Sequence, residues 1–241
     1  MDNGFSVLVK VDSQKRISAI LYLAICCLDQ FIRLYDTTTS SSFQKLAEIL
    51  VEDVGWSILD TALSPDRTGI AYSTWSEWSK LFEFREKNFL FIARVFSVYL
   101  IKLNENEDEP KVTPLHLQPR TPSFSIFSLQ FSGDGSEIIG GSNDAHVYIY
   151  DLQKKKRTLR VSRLAMNNCK SVLIFKVRAH DGDINAVRFI DDSNSLIVSG
   201  SDDNLVSVWD RRALNESQPK PVGVFAGHTN GITFVHSRVC H

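Results

Sequence analysis

Two adjacent arginines, Arg211 and Arg212, directly follow a Trp-Asp pair in the stretch "SDDNLVSVWDRR". A guanidinium group is a rigid, planar fork of donors that pairs well with carboxylate or carbonyl oxygens. The preceding segment 206–208 alternates as a strand does, and residues 202–204 ahead of it are turn-forming. The sequence therefore predicts a hairpin whose second strand ends where Asp210 can hold an arginine at the surface for binding.

The same plan recurs along the chain. Each copy ends in an aromatic residue followed by Asp, and carries another Asp six residues before that aromatic residue. Self-similarity of this kind predicts a repeat architecture built from short strands. The three clear copies, one weaker unit and the opening of a further unit lie at 28–36, 143–151, 202–210, 58–73 and 226–235.

The spacing of these strands, with a His ahead of the first and Trp-Asp closing the third, resembles the WD-repeat family. Its units of roughly 40 to 45 residues form the four-stranded blades of a β-propeller. The resemblance implies a buried network of four residues, here His180, Ser199, Asp203 and Trp209. Because a charged Asp and an imidazole inside a blade must be hydrogen-bonded to each other, we assign this network to structure rather than catalysis.

The other copies depart from the full pattern. Gly140 stands where Ser199 is expected, and Tyr150 and Tyr35 replace the Trp. We therefore expect those blades to depend more on apolar packing.

The predicted fold class is all-β: a single, partial WD-repeat propeller over 1–241, with about four blades and the first strand of a further one. The apolar run at 17–27 is interpreted as a buried strand pair rather than a signal peptide, because it lies far from Met1. The expected units are a blade fragment at 19–57, a divergent blade at 58–125 with an insertion at 77–97, a blade at 126–160, an insertion at 161–177, the best-conforming blade at 178–225, and the truncated start of the next blade at 226–241.

Closure of a propeller hides its sheet edges and takes at least about four blades. Because a propeller commonly has about seven blades, a chain with about four recognisable units is expected to form an unfinished ring. We expect the isolated chain to be poorly soluble or only partly folded, which a sharp, cooperative thermal melt would contradict. The insertion at 77–97 is less well explained as a partner-binding helix, because its apolar residues wrap most of the circumference.

Composition and motifs argue against several functions. A net charge of -1, without a basic block, predicts no binding to nucleic acid, and no segment predicts a membrane span. The glycines of "SGDGSEIIGGS" bracket strands and lack the Gly-Lys-Ser/Thr of a phosphate loop. We expect no metal, no cofactor and no enzyme activity, because neither the scattered histidines nor the cysteines have ligand spacing; the cysteines are Cys26, Cys27, Cys169 and Cys240.

The segment 197–212 is similar to the sixteen-residue box of WD-repeat substrate receptors of cullin-4 RING ubiquitin ligases. It fits except at Arg211, where an aliphatic residue is usual, and the segment 138–153 fits except that Gln153 replaces the basic residue. The resemblance implies docking on the ligase's damaged-DNA-binding adaptor through Arg212. The candidate adaptor-binding residues are Trp209, Asp210, Arg211 and Arg212.

About 150 residues look like the WD-repeat protein 23 type of cullin-4-associated factor, including its plant LEC-type relatives. The resemblance implies a substrate receptor whose partners are the adaptor, the cullin-4 complex and unknown protein substrates presented for ubiquitination. The alternative is a general WD-repeat scaffold for protein-protein interaction without ligase linkage. Residence in the nucleus, the cytoplasm or both is expected, because the basic segment 152–160 is interpreted either as a nuclear address or as a solvated turn.

Overall fold

The residues that the structure describes form antiparallel β-sheets joined by turns and loops in the computed structural model. Eighteen strands and no helix are found in the residues that the structure describes. Sixteen of these strands form four sheets of four strands each, and the remaining two form a separate hairpin. The described residues are 8–11, 22–26, 30–36, 44–51, 57–66, 68–75, 81–83, 90–92, 98–102, 111–115, 117, 124–153, 175–191, 193–214 and 220–236.

The four sheets follow one another along the chain. The first contains β1 (Leu8–Val11), β2 (Tyr22–Cys26), β3 (Phe31–Asp36) and β4 (Gln44–Leu50). The second contains β5 (Ile58–Leu63), β6 (Gly69–Thr74), β9 (Val98–Lys102) and β10 (Lys111–Pro114), with the hairpin of β7 (Leu81–Glu83) and β8 (Leu90–Ile92) between β6 and β9. The third contains β11 (Ile126–Phe131), β12 (Glu137–Ser142), β13 (His146–Asp151) and β14 (Phe175–Arg178). The fourth contains β15 (Ile184–Phe189), β16 (Leu196–Ser201), β17 (Val206–Asp210) and β18 (Gly223–Phe225).

The sheets stack around their first strands, as the blades of a propeller do. Strand β11 contacts β5 of the preceding sheet and β15 of the following one. All three of these inner strands carry a register shift at their second residue, so each bends at the same place. The second strands β6 and β12 are buried along their whole length, because neighbouring sheets cover both of their faces.

The hydrophobic core consists of separate layers between consecutive sheets. Burial of aliphatic and aromatic side chains in these layers is the main stabilising term. A fourth layer extends beyond the last sheet, where Ile232 and Val235 pack against Ala186 and Val198. Representative residues of the other three layers are Ile32, Ile70 and Ile101; Phe124, Leu129 and Tyr148; and Ile139, Ile184 and Trp209.

The all-β propeller fold predicted from the repeats is confirmed. Strand β1 precedes the unit expected at 19–57, and β2 lies inside the apolar run 17–27. The stretch 77–97 contains the β7–β8 hairpin, and the rest of that stretch lies outside the described residues. Most of 161–177 also lies outside them, but its last residues belong to β14, the outer strand of the third sheet.

Candidate functional site

The turn after β17 carries Arg212 at the protein surface. The carboxylate of Asp210, the last residue of the strand, accepts three hydrogen bonds from Arg212: from its backbone N–H at 2.9 Å, from Nε at 3.0 Å and from Nη2 at 2.8 Å. The Arg212 side chain is 71% exposed, whereas that of Asp210 is 18% exposed. Asp210 therefore fixes a guanidinium that faces solvent.

This pairing leaves part of the guanidinium available. A guanidinium has five N–H donors, and the bonds to Asp210 use about two of them. The hydrogen bonds from Arg212 hold the pKa of Asp210 below its usual range, and those to Asp210 raise the pKa of Arg212. The pair therefore stays ionised at neutral pH, and the remaining N–H groups can bind carboxylate or carbonyl oxygens of a partner.

Arg211 points the other way. Its Nη1 and Nη2 donate to Oε2 and Oε1 of Glu137 at 2.7 and 3.0 Å, and Nη1 also donates to the backbone oxygen of Asn194 at 3.0 Å. The guanidinium lies 5.9 Å from the ring centroid of Phe189. The two arginines predicted together as docking residues thus occupy different environments, and only Arg212 faces outward.

Glu137 was not singled out by the sequence, although one signal pointed to it. Arg211 occupies the place in the sixteen-residue box where an aliphatic residue is usual. A charged side chain at a site suited to packing requires an acidic partner nearby. That partner is 74 residues earlier in the chain, at the start of β12.

The predicted four-residue network lies inside the fourth sheet. His180 Nδ1 lies 2.9 Å from Asp203 Oδ2, and His180 Nε2 lies 2.7 Å from Ser199 Oγ. Trp209 Nε1 donates to the same Ser199 Oγ at 2.9 Å. His180, Ser199 and Trp209 are all buried. The structure therefore brings the four predicted residues together, and Trp209 lies in the interior of the blade rather than at its surface.

The directions of these hydrogen bonds are determined by the donors. Asp203 can only accept, so His180 donates from Nδ1, and Nε2 of a neutral imidazole is then the acceptor. Ser199 then donates its single O–H to Nε2 and accepts the indole N–H. A Ser-His-Asp order resembles a hydrolytic triad, but Ser199 is 0% exposed and Trp209 occupies one lone pair of its oxygen. This serine has no open side for a substrate.

Asp203 is ionised in this network. Burial opposes its ionisation, but hydrogen bonds from the backbone N–H groups of Asp181 and Leu205 and from His180 outweigh that effect and lower its pKa. Asp203 thereby connects the loop before β15 with the hairpin between β16 and β17.

In the third sheet, the residue that corresponds to Asp203 is Asp144, and it has different hydrogen-bond donors. Asp144 accepts from Tyr148 Oη at 2.7 Å and from the hydroxyl of Ser142. Tyr150, at the position of Trp209, is buried in the apolar layer between the second and third sheets. The sequence predicts that this blade depends more on apolar packing. The structure shows, in addition, a local hydrogen-bond network around Asp144.

The third sheet has the same turn as the one after β17, but without an arginine. Asp151 Oδ1 accepts the backbone N–H of Gln153 at 2.9 Å, as Asp210 Oδ1 accepts that of Arg212. The turn itself is thus common to both sheets, and the guanidinium distinguishes the fourth.

Two further classes of site are absent from the described part of the chain. No group of three or more His, Cys, Asp or Glu side chains there is arranged to hold a metal ion. Among the same residues there is also no helix with the length and apolar character of a membrane span.

The chain is similar to one known repeat family and to several named proteins. Residues 115–151 and 170–210 match the WD40 family, described as WD domain, G-beta repeat. The chain is 35% identical over 208 residues to the LEC14B protein of Lithospermum erythrorhizon. It is 31% identical over 225 residues to the DDB1- and CUL4-associated factor 11 homolog of Caenorhabditis elegans.

The chain spans only part of these relatives. The two alignments cover 86% and 90% of this chain, but 38% and 33% of the relatives' lengths. A chain in the crystal structure of a mitotic checkpoint complex is similar in fold, with a TM-score of 0.57 at 13% identity, over 95% of this chain and 54% of that one. The chain is therefore a WD40-repeat protein with a β-propeller fold, homologous to the LEC14B and DDB1- and CUL4-associated factor 11 proteins.

Proposed function

We propose that this chain binds the adaptor subunit of a cullin-4 RING ubiquitin ligase and forms part of a substrate receptor. The relatives whose names refer to DDB1 and CUL4 support this assignment. The main structural support for the proposal is the Arg212 guanidinium, which faces outward, is held by Asp210 and keeps N–H groups that Asp210 does not use. An adaptor surface lined by carboxylate or carbonyl oxygens is the complementary partner.

The receptor does not itself transfer ubiquitin. Its role is to hold an unidentified protein substrate on another face of the propeller, near the ubiquitin-conjugating enzyme. Rigid presentation raises the effective concentration of substrate lysines at that enzyme. The closed Ser-His-Asp network of the fourth sheet is consistent with a structural scaffold.

The test is co-purification of the full chain with the adaptor DDB1. Arg212→Ala removes the donor fork and Arg212→Glu reverses its charge, so both variants should lose the adaptor. Arg178→Ala is the matched control: Arg178 is 67% exposed and pairs with Asp181 at 3.0 Å, but it lies at the opposite end of the strands. Unchanged recovery with both Arg212 variants would remove the ligase assignment and leave a general WD-repeat scaffold.

A further inference from the structure

The ion pair between Arg211 and Glu137 joins the third and fourth sheets next to Arg212. Nη1 and Nη2 of Arg211 each donate to a different carboxylate oxygen of Glu137, and the side chains of Arg211 and Glu137 are 22% and 12% exposed. A two-point, charge-assisted pair that is partly shielded from water is directional and stronger than a fully exposed pair. The turn after β17 is thereby tied to the first residue of β12.

Asn194 adds further attachment to the same turn. Its backbone oxygen accepts from Arg211, and its side-chain oxygen accepts from the backbone N–H of Gly133 at 3.1 Å. Asn194 has φ of 54°, a left-handed conformation that Asn tolerates better than most residues. The backbone N–H of Arg211 also donates to Ser195 at 2.9 Å. Arg211 is thus fastened to the third sheet and to the turn that precedes β16.

We propose that Arg211 is a positioning residue for Arg212. Arg212 is bonded to Asp210 within its own turn, so the direction of its guanidinium follows the direction of that turn. The Arg211–Glu137 pair fixes the turn relative to two sheets, which the usual aliphatic residue cannot do by hydrogen bonding. What Arg212 binds rests on the function proposed above, but the positioning itself does not.

Hydrogen exchange of the free chain tests the positioning without any partner. We expect Arg211→Leu and Glu137→Gln to accelerate exchange of the Arg212 and Ala213 amides by about tenfold, because the turn opens more often. Exchange in β16 should stay unchanged. Arg33→Leu is the matched control, since it breaks a 2.7 Å pair with Glu48 in the first sheet. Unchanged exchange in both test variants would overturn the proposal.

A binding cycle with DDB1 gives a second readout. We expect Arg211→Leu to weaken binding about five- to tenfold when Arg212 is present, and to have no further effect in an Arg212→Lys background, whose flexible side chain gains little from a fixed turn. An equal loss in both backgrounds would overturn the positioning role. If Arg212→Lys and Arg212→Ala both bind DDB1 as the parent does, the proposed function fails, while the exchange result still decides the role of Arg211.

Discussion

Asp60 and Arg188 bind the two backbone polar groups of one residue, Leu129. Asp60 Oδ2 accepts the Leu129 N–H at 2.7 Å, and Arg188 Nη1 donates to the Leu129 carbonyl at 3.0 Å. The three residues lie on β5, β15 and β11, the inner strands of three consecutive sheets. Opposite charges thus flank one backbone segment, and in a poorly solvated interior this arrangement fixes the relative register of those sheets.

Removing the Asp60 carboxylate should destabilise the propeller as a whole. Asp60 is 3% exposed, so Asp60→Ala leaves the Leu129 N–H buried without this acceptor. We expect a loss of about 2–3 kcal/mol in the free energy of unfolding. Urea denaturation followed by intrinsic fluorescence measures it. Lys45→Ala is the control: its side chain is 49% exposed, so it should change the free energy of unfolding by less than about 0.5 kcal/mol. A similarly small change for Asp60→Ala would contradict a stabilising role of the Asp60–Leu129 hydrogen bond.

The sequence predicts those parts of the fold whose chemistry is local and repeated. The hairpin Asp and the strand that follows it recur because a turn and a buried strand each allow few residue types. The outer strands β4, β10, β14 and β18 have no such signature. Exposed side chains such as Leu46 and Val224 on these strands are only weakly constrained, so their pattern does not mark a strand.

In the candidate site, too, contacts within one turn can be predicted from the sequence, whereas contacts between sheets cannot. Asp210 and Arg212 are two positions apart, and their pairing follows from the turn alone. The partner of Arg211 could not be identified from the sequence, because Glu137 reaches Arg211 only when two sheets pack together. Contacts between inner strands are hidden for the same reason: Gln130 Oε1 accepts from the Phe189 N–H across 59 positions.

Ser199→Ala should destabilise the fourth sheet through its neighbours. The substitution leaves the Trp209 N–H and one nitrogen of His180 buried without their present partner. We expect a loss of about 2–3 kcal/mol, measured by urea denaturation. Ser193→Ala, in an exposed turn, is the control and should have little effect. Equal stabilities of the two variants would show that the network contributes little.

Acid should weaken the fold partly through Asp203. Its pKa is lowered in the folded state from an ordinary value of 3.8, so the unfolded chain binds more protons in this range. Stability from this group is complete above the ordinary pKa and is lost as pH falls through the lower, folded value. We therefore expect Asp203→Asn to flatten the decline in Tm below about pH 4. Asp181→Asn is the control: its side chain is 90% exposed, so this variant should show the same decline in Tm as the parent protein. If Asp203→Asn also showed the parent's decline, the hydrogen bonds to the Asp203 carboxylate would have no effect on acid stability.

Gly200→Ala should detach residues 226–236 from the fourth sheet. A methyl group at Gly200 would overlap the Ile232 side chain, just as one at Gly141 would lie 2.7 Å from Ile184 Cγ2. Ile232 thus packs on the fourth sheet as Ile184 of β15 packs on the third, and its N–H donates to Ser201 at 2.9 Å. Overpacking of this kind costs about 1–3 kcal/mol, so exchange of the Ile232 amide should accelerate by about tenfold or more. Gly223→Ala is the control, because the nearest atom to a methyl group there, Val208 Cβ, is 3.9 Å away. If the two variants exchange alike at Ile232, close backbone approach at Gly200 does not hold this segment in place.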